Sequence, residues 1–277
     1  MFRGLYTATS GMMAHNRKQQ ILTNNLANAN TPGFKGDQTV LRSFPDQLIK
    51  AMGAAKTPAA GHQVGHLSTG VYAQEGIPSF AQGALKSTGN STDFALMDDL
   101  LPVNPVTQEW GSLVFAAALP NGEVRYTKNG QFSVGADGLL KTSEGYNVLG
   151  ADMSPIQATD SNFTVEQNGR ITFANGNETN ELWIGHTENP QQLVKEGHGL
   201  FRWEGTDAQA PQRAADVPFL NNSSSFIQQG FIESSNVDLT QTMTDMMNTY
   251  RGFEANQKVI QAYDRSMEKA ANEIGRV

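Results

Sequence analysis

The most constraining feature of this chain is a pair of stripes at its two ends, because apolar residues spaced alternately by three and four share a face only on a helix. Near the start, Leu5, Ala8, Met12, Leu22, Leu26 and Ala29 form one stripe, with His15 and Gln19 in its middle. Pro32 disfavours helix in the residue before it and Gly33 frees a turn, so this helix is expected over residues 3–30, with Phe34 and Lys35 beginning an extended segment. Past Phe226 the helical period returns. Ser235, with Asp238 three residues later, has the form of a capping box. The stripe that follows is Leu239, Met243, Met246, Tyr250, Phe253, Gln257, Ile260, Asp264, Met267, Ala271 and Ile274. Only Gln257 and Asp264 interrupt its apolar character, which suits a coiled coil better than packing on a flat sheet. The two stripes are expected to pair and then to pack against those of neighbouring copies; an ordinary helical layer on one globular domain is the other arrangement that periodicity allows.

Between the stripes the pattern changes to turns and short strands. Asn121-Gly122, Asn129-Gly130, Asp137-Gly138 and Glu144-Gly145 recur every seven or eight residues, and Asn168-Gly169 and Asn175-Gly176 continue the series. Asn-Gly and Asp-Gly supply the positive φ of tight hairpin turns, while Val124 and Tyr126, then Phe132 and Val134, alternate as half-buried strands do. The fold class is therefore α+β, a β-rich domain of antiparallel hairpins flanked by terminal helices that pair as a coiled coil. Residues 51–70 are rich in Ala, Gly, Thr and Pro. The expected limits are an N-terminal assembly helix and turn over 1–35, a linker or surface loop over 36–70, the β-rich domain over 71–228 and a C-terminal assembly helix over 229–277.

Composition narrows the function classes. A net charge of -7, with no run of Lys or Arg, excludes a nucleic-acid face, and the absence of Cys removes disulfides and thiol chemistry. No apolar stretch is long enough to span a bilayer, and the start reads as no signal-peptide core, so passage out of the cytosol is expected without a cleavable signal. His62 and His66 are four apart, but Gly61 and Gly65 argue against a helix and a third metal ligand is lacking. Asp98-Asp99 would point apart on a strand and read as solvated surface, and His186 and His198 with Glu188 and Glu196 read as surface residues near turns. No catalytic residue, cofactor, metal or small-molecule substrate is expected, and no glycine-rich loop opens a helix to hold a phosphate.

Three segments then carry a resemblance. Asn24-Asn25-Leu26-Ala27-Asn28-Ala29-Asn30-Thr31-Pro32-Gly33-Phe34-Lys35, preceded by Gly4-Leu5-Tyr6 and Ser10-Gly11-Met12, resembles the N-terminal signature of the flagellar basal-body rod and hook family. Gln82-Gly83 with Thr88-Gly89-Asn90 and Asp93, then Tyr126-Thr127-Lys128-Asn129-Gly130-Gln131-Phe132, is similar to its β-domain. Gln229-Gly230-Phe231-Ile232-Glu233-Ser234-Ser235-Asn236-Val237-Asp238-Leu239, through Arg251, Glu254, Ala255 and Asn256, is similar to its closing helix. The whole looks closest to the hook-basal-body proteins of Gram-positive bacilli. Thr242-Met243 stands in place of the family's Glu-Met, Lys128 in place of a common Arg, and Ser112-Leu113-Val114-Phe115 in place of Gly-Phe-Phe.

The resemblance implies a non-enzymatic axial subunit of the basal body, exported by the flagellar type III apparatus, whose partners are copies of itself and neighbouring rod and hook proteins. The expected assembly interface is Leu5, Met12, Leu22, Leu26, Leu239, Met243, Met246, Tyr250, Phe253, Ile260, Met267 and Ile274. The alternative is a β-rich protein active on cell wall or carbohydrate and carrying helical assembly arms. Two convergent carboxylates in a cleft would mark it.

Overall fold

A computed structural model describes residues 2–50, 63–98, 101, 110–158, 163–166, 169–173, 178–179, 181–206, 209–217 and 226–274. The chain forms two compact units, one of Met1–Ala27, Asp37–Ile77 and Asp238–Val277, the other of Asn28–Gly36 and Pro78–Val237. Helices and antiparallel sheets together make it an α+β protein.

The first unit is built on α1 (Phe2–Ala27) and α2 (Leu239–Lys269). α1 stops before the expected Asn30, because Asn28 turns the chain: its carbonyl and side chain accept from the Thr31 amide and hydroxyl at 3.1 and 3.2 Å. α2 starts at a different cap from the one expected. Asp238 is the N-cap, its carboxylate accepting from the Thr240 and Gln241 amides at 2.8 and 3.0 Å, whereas the Ser235 hydroxyl accepts from the Val237 amide, ahead of the helix. An anion at the positive end of a helix gains from both the capping bonds and the dipole.

The two helices lie side by side and antiparallel, with Gly4 against Tyr263, Gly11 against Asn256 and Gly252 against His15. A Cβ on Gly11 would fall 2.8 Å from the Asn256 amide nitrogen, and one on Gly252 2.7 Å from the His15 ring. The glycines thus let large polar side chains lie on the opposite backbone.

In the same unit, β2 (Leu41–Ser43) pairs with β5 (Val71–Ala73), and β3 (Gln47–Lys50) with β4 (Gln63–Leu67), following a short β1 (Asp37–Gln38) and leading to β6 (Ile77–Pro78). Strands therefore occupy part of residues 36–70, where composition suggested a linker or loop; backbone ladders need no large side chains. His66 lies in β4 opposite Leu48, and His62 lies outside the described residues. The ribbon rests on α1 through Ser10, whose hydroxyl accepts from the Val71 amide at 3.3 Å, and through buried Asn25, which exchanges two hydrogen bonds with the Asp37 backbone.

The second unit carries β7 (Leu85–Ser87), β8 (Phe94–Leu96), β9 (Ser112–Ala118), β10 (Val124–Thr127), β11 (Phe132–Val134), β12 (Leu140–Thr142), β13 (Asn147–Val148) and β14 (Phe163–Val165). It continues with β15 (Ile171–Phe173), β16 (Glu178–Thr179), β17 (Ile184–Thr187), β18 (Leu193–Gly197), β19 (Leu200–Trp203), β20 (Gln212–Arg213), β21 (Ile227–Gln229) and β22 (Phe231–Glu233). The main sheet runs in the order β11-β12-β13-β9-β10-β19-β18, with β17 pairing β9 and β20.

β9 is its spine and is buried on both faces. Leu113 and Phe115 join a core with Phe94, Phe132, Ile156 and Ile184, whereas Val114 and Ala116 join Trp183, Leu193 and Phe201 on the other side. A strand covered on both sides reads as an unbroken apolar run, as Leu113–Ala117 does.

Gly122, Gly138 and Gly145 have the positive φ expected of hairpin turns. Asn129-Gly130 does not make a hairpin, because β10 and β11 are not neighbours in the sheet. The Asn129 side chain accepts from Gln131 and leads the chain out to bridge Asp93, and Gly130 is required because a Cβ there would lie 1.8 Å from the Phe94 carbonyl oxygen.

Candidate assembly face and charged junction

The signature segments of the central unit, far apart in sequence, converge on one buried junction. After Pro32, Gly33 takes φ 68° and sits where a Cβ would be 2.5 Å from the Asn129 amide, so only glycine lets residues 33–36 approach the Tyr126–Asn129 segment. The chain then delivers Lys35 into the interior, fully buried, where its ammonium donates to Glu233 at 2.7 Å and to the Ala81 carbonyl at 3.0 Å. Glu233 Oε1 also accepts from the Gly83 amide at 2.8 Å, and the Glu233 carbonyl accepts from Gly33 at 2.8 Å.

Three residues on, the Asn236 side chain accepts from the Gly36 amide at 2.7 Å and donates to the Ser79 and Ala81 carbonyls at 2.8 and 3.1 Å. A second buried pair, Lys128 on Asp98, is fastened by the Leu113 amide and the Ser112 hydroxyl, both donating to Asp98. Gln82 joins the two pairs, donating to the Leu96 carbonyl and accepting from the Asp98 amide, next to Gly83.

Two cations and two anions therefore share an interior where each would be costly alone. Burial works to raise the Glu233 carboxyl, but the Lys128 and Lys35 cations and the Lys35 and Gly83 donors outweigh it and hold Glu233 below the usual carboxylate range. Burial and then Lys128 press the Lys35 amine down, against the pull of Glu233 and Asp98. Lys128 serves here as a compact charge on one carboxylate, a task that needs no planar fork of the Arg kind. Sequence reasoning gave none of these four charges a role. The signal for Lys35, Lys128 and Glu233 was position, single charges among the glycines and apolar residues of the signature segments; Asp98, expected at the solvated surface, is instead buried beneath Lys128.

In the helical unit the residues expected at an assembly interface take three positions. Leu22 is buried, and Leu5, Met12, Leu26, Met246, Phe253, Ile260 and Met267 are half-buried. Leu239, Met243 and Tyr250 are exposed, and the side chain of Ile274 lies outside the described set. The buried residues of α2 are Thr242 and Thr249, which share a heptad face with Asn256 and Tyr263, the residues that lie on Gly11 and Gly4 of α1. Met247, 62% exposed, falls between Met243 and Tyr250, so Leu239, Met243, Met247 and Tyr250 form an outward stripe at helical spacing. On α1, Tyr6 and Met13 are exposed one heptad apart.

The other polar candidates are occupied or scattered. His186 is buried in β17, its Nε2 without a partner among the described residues and its basicity lowered mainly by burial. Its expected surface position is overturned because Gly111 leaves room for the ring beneath the chain. His198 turns the β18–β19 hairpin with φ 52°, and Glu196 is bound by Arg125 and Arg202. Among the described residues no group of His, Asp and Glu could hold a metal, and no helix is long and apolar enough to cross a membrane.

Comparison with known proteins meets the same segments. Residues 5–35 match the family model described as flagella basal body rod protein, residues 111–173 that of the flagellar hook protein FlgE/F/G D1 domain, and residues 228–273 that of the flagellar basal body rod FlgEFG protein C-terminal region. The flagellar hook-basal body complex protein FlhO of Bacillus subtilis is 42% identical over 100% of both chains. The chain belongs to the flagellar basal-body rod and hook family. Another member, the basal-body rod protein FlgG of Borreliella burgdorferi, is 31% identical over 98% of each chain, and FlgG of Bacillus subtilis is 28% identical over 98% of this one. Within the family signature, Asn25 holds Asp37, Gly33 and Lys35 fill the junction, and Glu233 and Asn236 close it.

Proposed function

We propose that this chain is a structural subunit of the bacterial flagellar basal body, in the rod or rod-hook region, that polymerises through its terminal helices into the axial tube. Family membership supports the setting, and one observation carries the means. The helix pair already buries one side of α2 against α1, yet Leu239, Met243, Met247 and Tyr250 remain on the outside, where a lone subunit gains nothing from them. A second copy or a related axial protein, laid along that stripe, would bury it in coiled-coil fashion. The same contact repeated head to tail without closing builds a helical tube.

The helices of the two terminal segments, α1 and α2, serve in this reading as assembly arms, and the subunit crosses the cytoplasmic membrane through the flagellar type III export apparatus. No substrate or cofactor enters its action. The cell-wall-active alternative gains no support: among the buried carboxylates described in the central unit, Asp98 and Glu233 are each neutralised by a lysine, and Asp93 accepts from the Asn90 side chain.

A strain lacking the gene and complemented with Met247→Asp tests the reading. Adding a carboxylate to a stripe that must lose its water costs several kcal/mol at every subunit contact, against about 2 kcal/mol for the methionine's own burial. Swimming in soft agar should be lost and the variant absent from purified basal bodies, while Asn248→Asp, off the stripe, should incorporate normally. Full motility of the Met247→Asp strain would overturn the assembly-face reading.

A further inference from the structure

The central unit is closed by a strap that arrives late in the sequence. Phe226 and Ile227 enter the aromatic core, β21 pairs with β8, and β22 pairs with β7. Gln229 donates to the Ser91 and Phe163 carbonyls at 2.6 and 2.7 Å and accepts from the Val165 amide at 3.0 Å. Glu233 then neutralises Lys35, 198 positions away in the sequence, and Asn236 caps the Gly36 amide. Take residues 226–237 away and three things are left undone: the ladder edges of β7 and β8 are bare, the Gly83 amide loses its acceptor, and a fully buried ammonium loses the carboxylate bonded to it. A buried charge without a partner costs far more than an exposed one, so the remaining strands cannot settle around Lys35 while it stays charged.

We propose that residues 226–237 are a charge-keyed closing strap, which makes folding of the central unit conditional on their arrival. A chain delivered N-terminus first stays open through β9 and its partners until Glu233 and Asn236 reach the junction. α2 follows immediately, beginning at Leu239, so the helix that bears the outward stripe becomes available only with a closed central unit. The long loop that Lys35 and Glu233 must close costs entropy before either gains contact, which favours closure in one cooperative step with the sheet.

The test is refolding of the full chain from urea with pulsed amide labelling. The β9 amides of Leu113–Ala117 are expected to gain protection in the same kinetic phase as the Gly33 and Gly83 amides that bond Glu233. Lys35→Met, which orphans the carboxylate, and Glu233→Gln, which orphans the ammonium, should each lower native-state protection across β9 by about tenfold or more. The double variant Lys35→Met/Glu233→Gln, with neither charge buried alone and an acceptor kept for Gly83, should return to within about threefold of the parent.

Protection of β9 in a separate and earlier phase would show that the sheet closes without the strap and would overturn the proposal. So would single variants that lose protection only at Gly33 and Gly83. Should the single variants fail to fold, the double variant decides: its folding upholds the charge key, and its failure refutes it.

Discussion

Single residues set the limits of what this fold tolerates, and two glycines show how. Gly122 has φ 84° with open space about it, whereas Gly130 has no unusual φ but a backbone carbonyl where its Cβ would be. A side chain at Gly122 meets backbone strain of about 1 to 2 kcal/mol. One at Gly130 must push the Phe94 carbonyl of β8 aside, an overpacking cost of about 3 kcal/mol. Gly130→Ala should therefore lower the urea midpoint more than Gly122→Ala, although Asn121-Gly122 is the true hairpin; equal midpoints would remove the close-approach account.

His15 gives a pH dependence at the same scale. Burial, then the Lys18 cation, hold its imidazole below the ordinary 6.5, its Nδ1 has no partner among the described residues, and Gly252 lies against its ring. Because the folded state then binds this proton less readily than the unfolded one, its part in helix-pair stability is intact above 6.5 and is lost as pH falls from there through the lowered value. Amide exchange in Ala14–Lys18, corrected for intrinsic rate, should quicken from about pH 7.5 to about pH 5.5 and should flatten in His15→Gln. A slope unchanged in His15→Gln would assign the effect elsewhere.

At the scale of elements, α2 shows why one apolar stripe can serve two contacts. Met246 is half-buried toward the helix pair, while Met243 and Met247 point outward, though all three sit within one turn and a half of the helix. Met246→Asp should accordingly act in the free subunit, raising amide exchange along α1 and α2, while Met247→Asp should leave that exchange alone and fail only in assembly. Equal exchange in the two variants would collapse the distinction between an inner and an outer face.

Periodicity made both helices legible, and with them the stripe from Leu239 onward, because a spacing of three and four is written in the residues themselves. It left out which edge of the stripe is covered, since that depends on Gly4, Gly11 and Gly252 admitting Tyr263, Asn256 and His15, a match between two sequence-distant elements that no local pattern records. The hairpin turns were legible where positive φ was needed and misleading at Asn129-Gly130, where the same residue pair answers to a close approach instead.

For the whole molecule the two kinds of contact give different divisions of the chain. Changes of period place the β-rich domain at residues 71–228, whereas the contacts of the folded chain join Asn28–Gly36 and Pro78–Val237 in one unit and leave Asp37–Ile77 with the helices. The difference turns on Lys35, Glu233 and Asn236, single polar residues whose weight appears only when they meet in the interior. Limited proteolysis of the full chain in dilute solution decides between the two divisions. The helical arms expose an apolar stripe that awaits a neighbour, so they open more readily than a sheet buried on both faces and should be cut first. Mass spectrometry of the resistant core should recover Lys35 on a peptide that stays bound after any cut in residues 37–77, together with a C-terminal end at or beyond Asn236. Each ion-pair partner protects the other, since releasing either leaves a buried charge unpaired. A stable core ending near residues 71 and 228, with both peptides lost, would restore the boundaries read from periodicity and would show that the junction contributes little to holding the unit together.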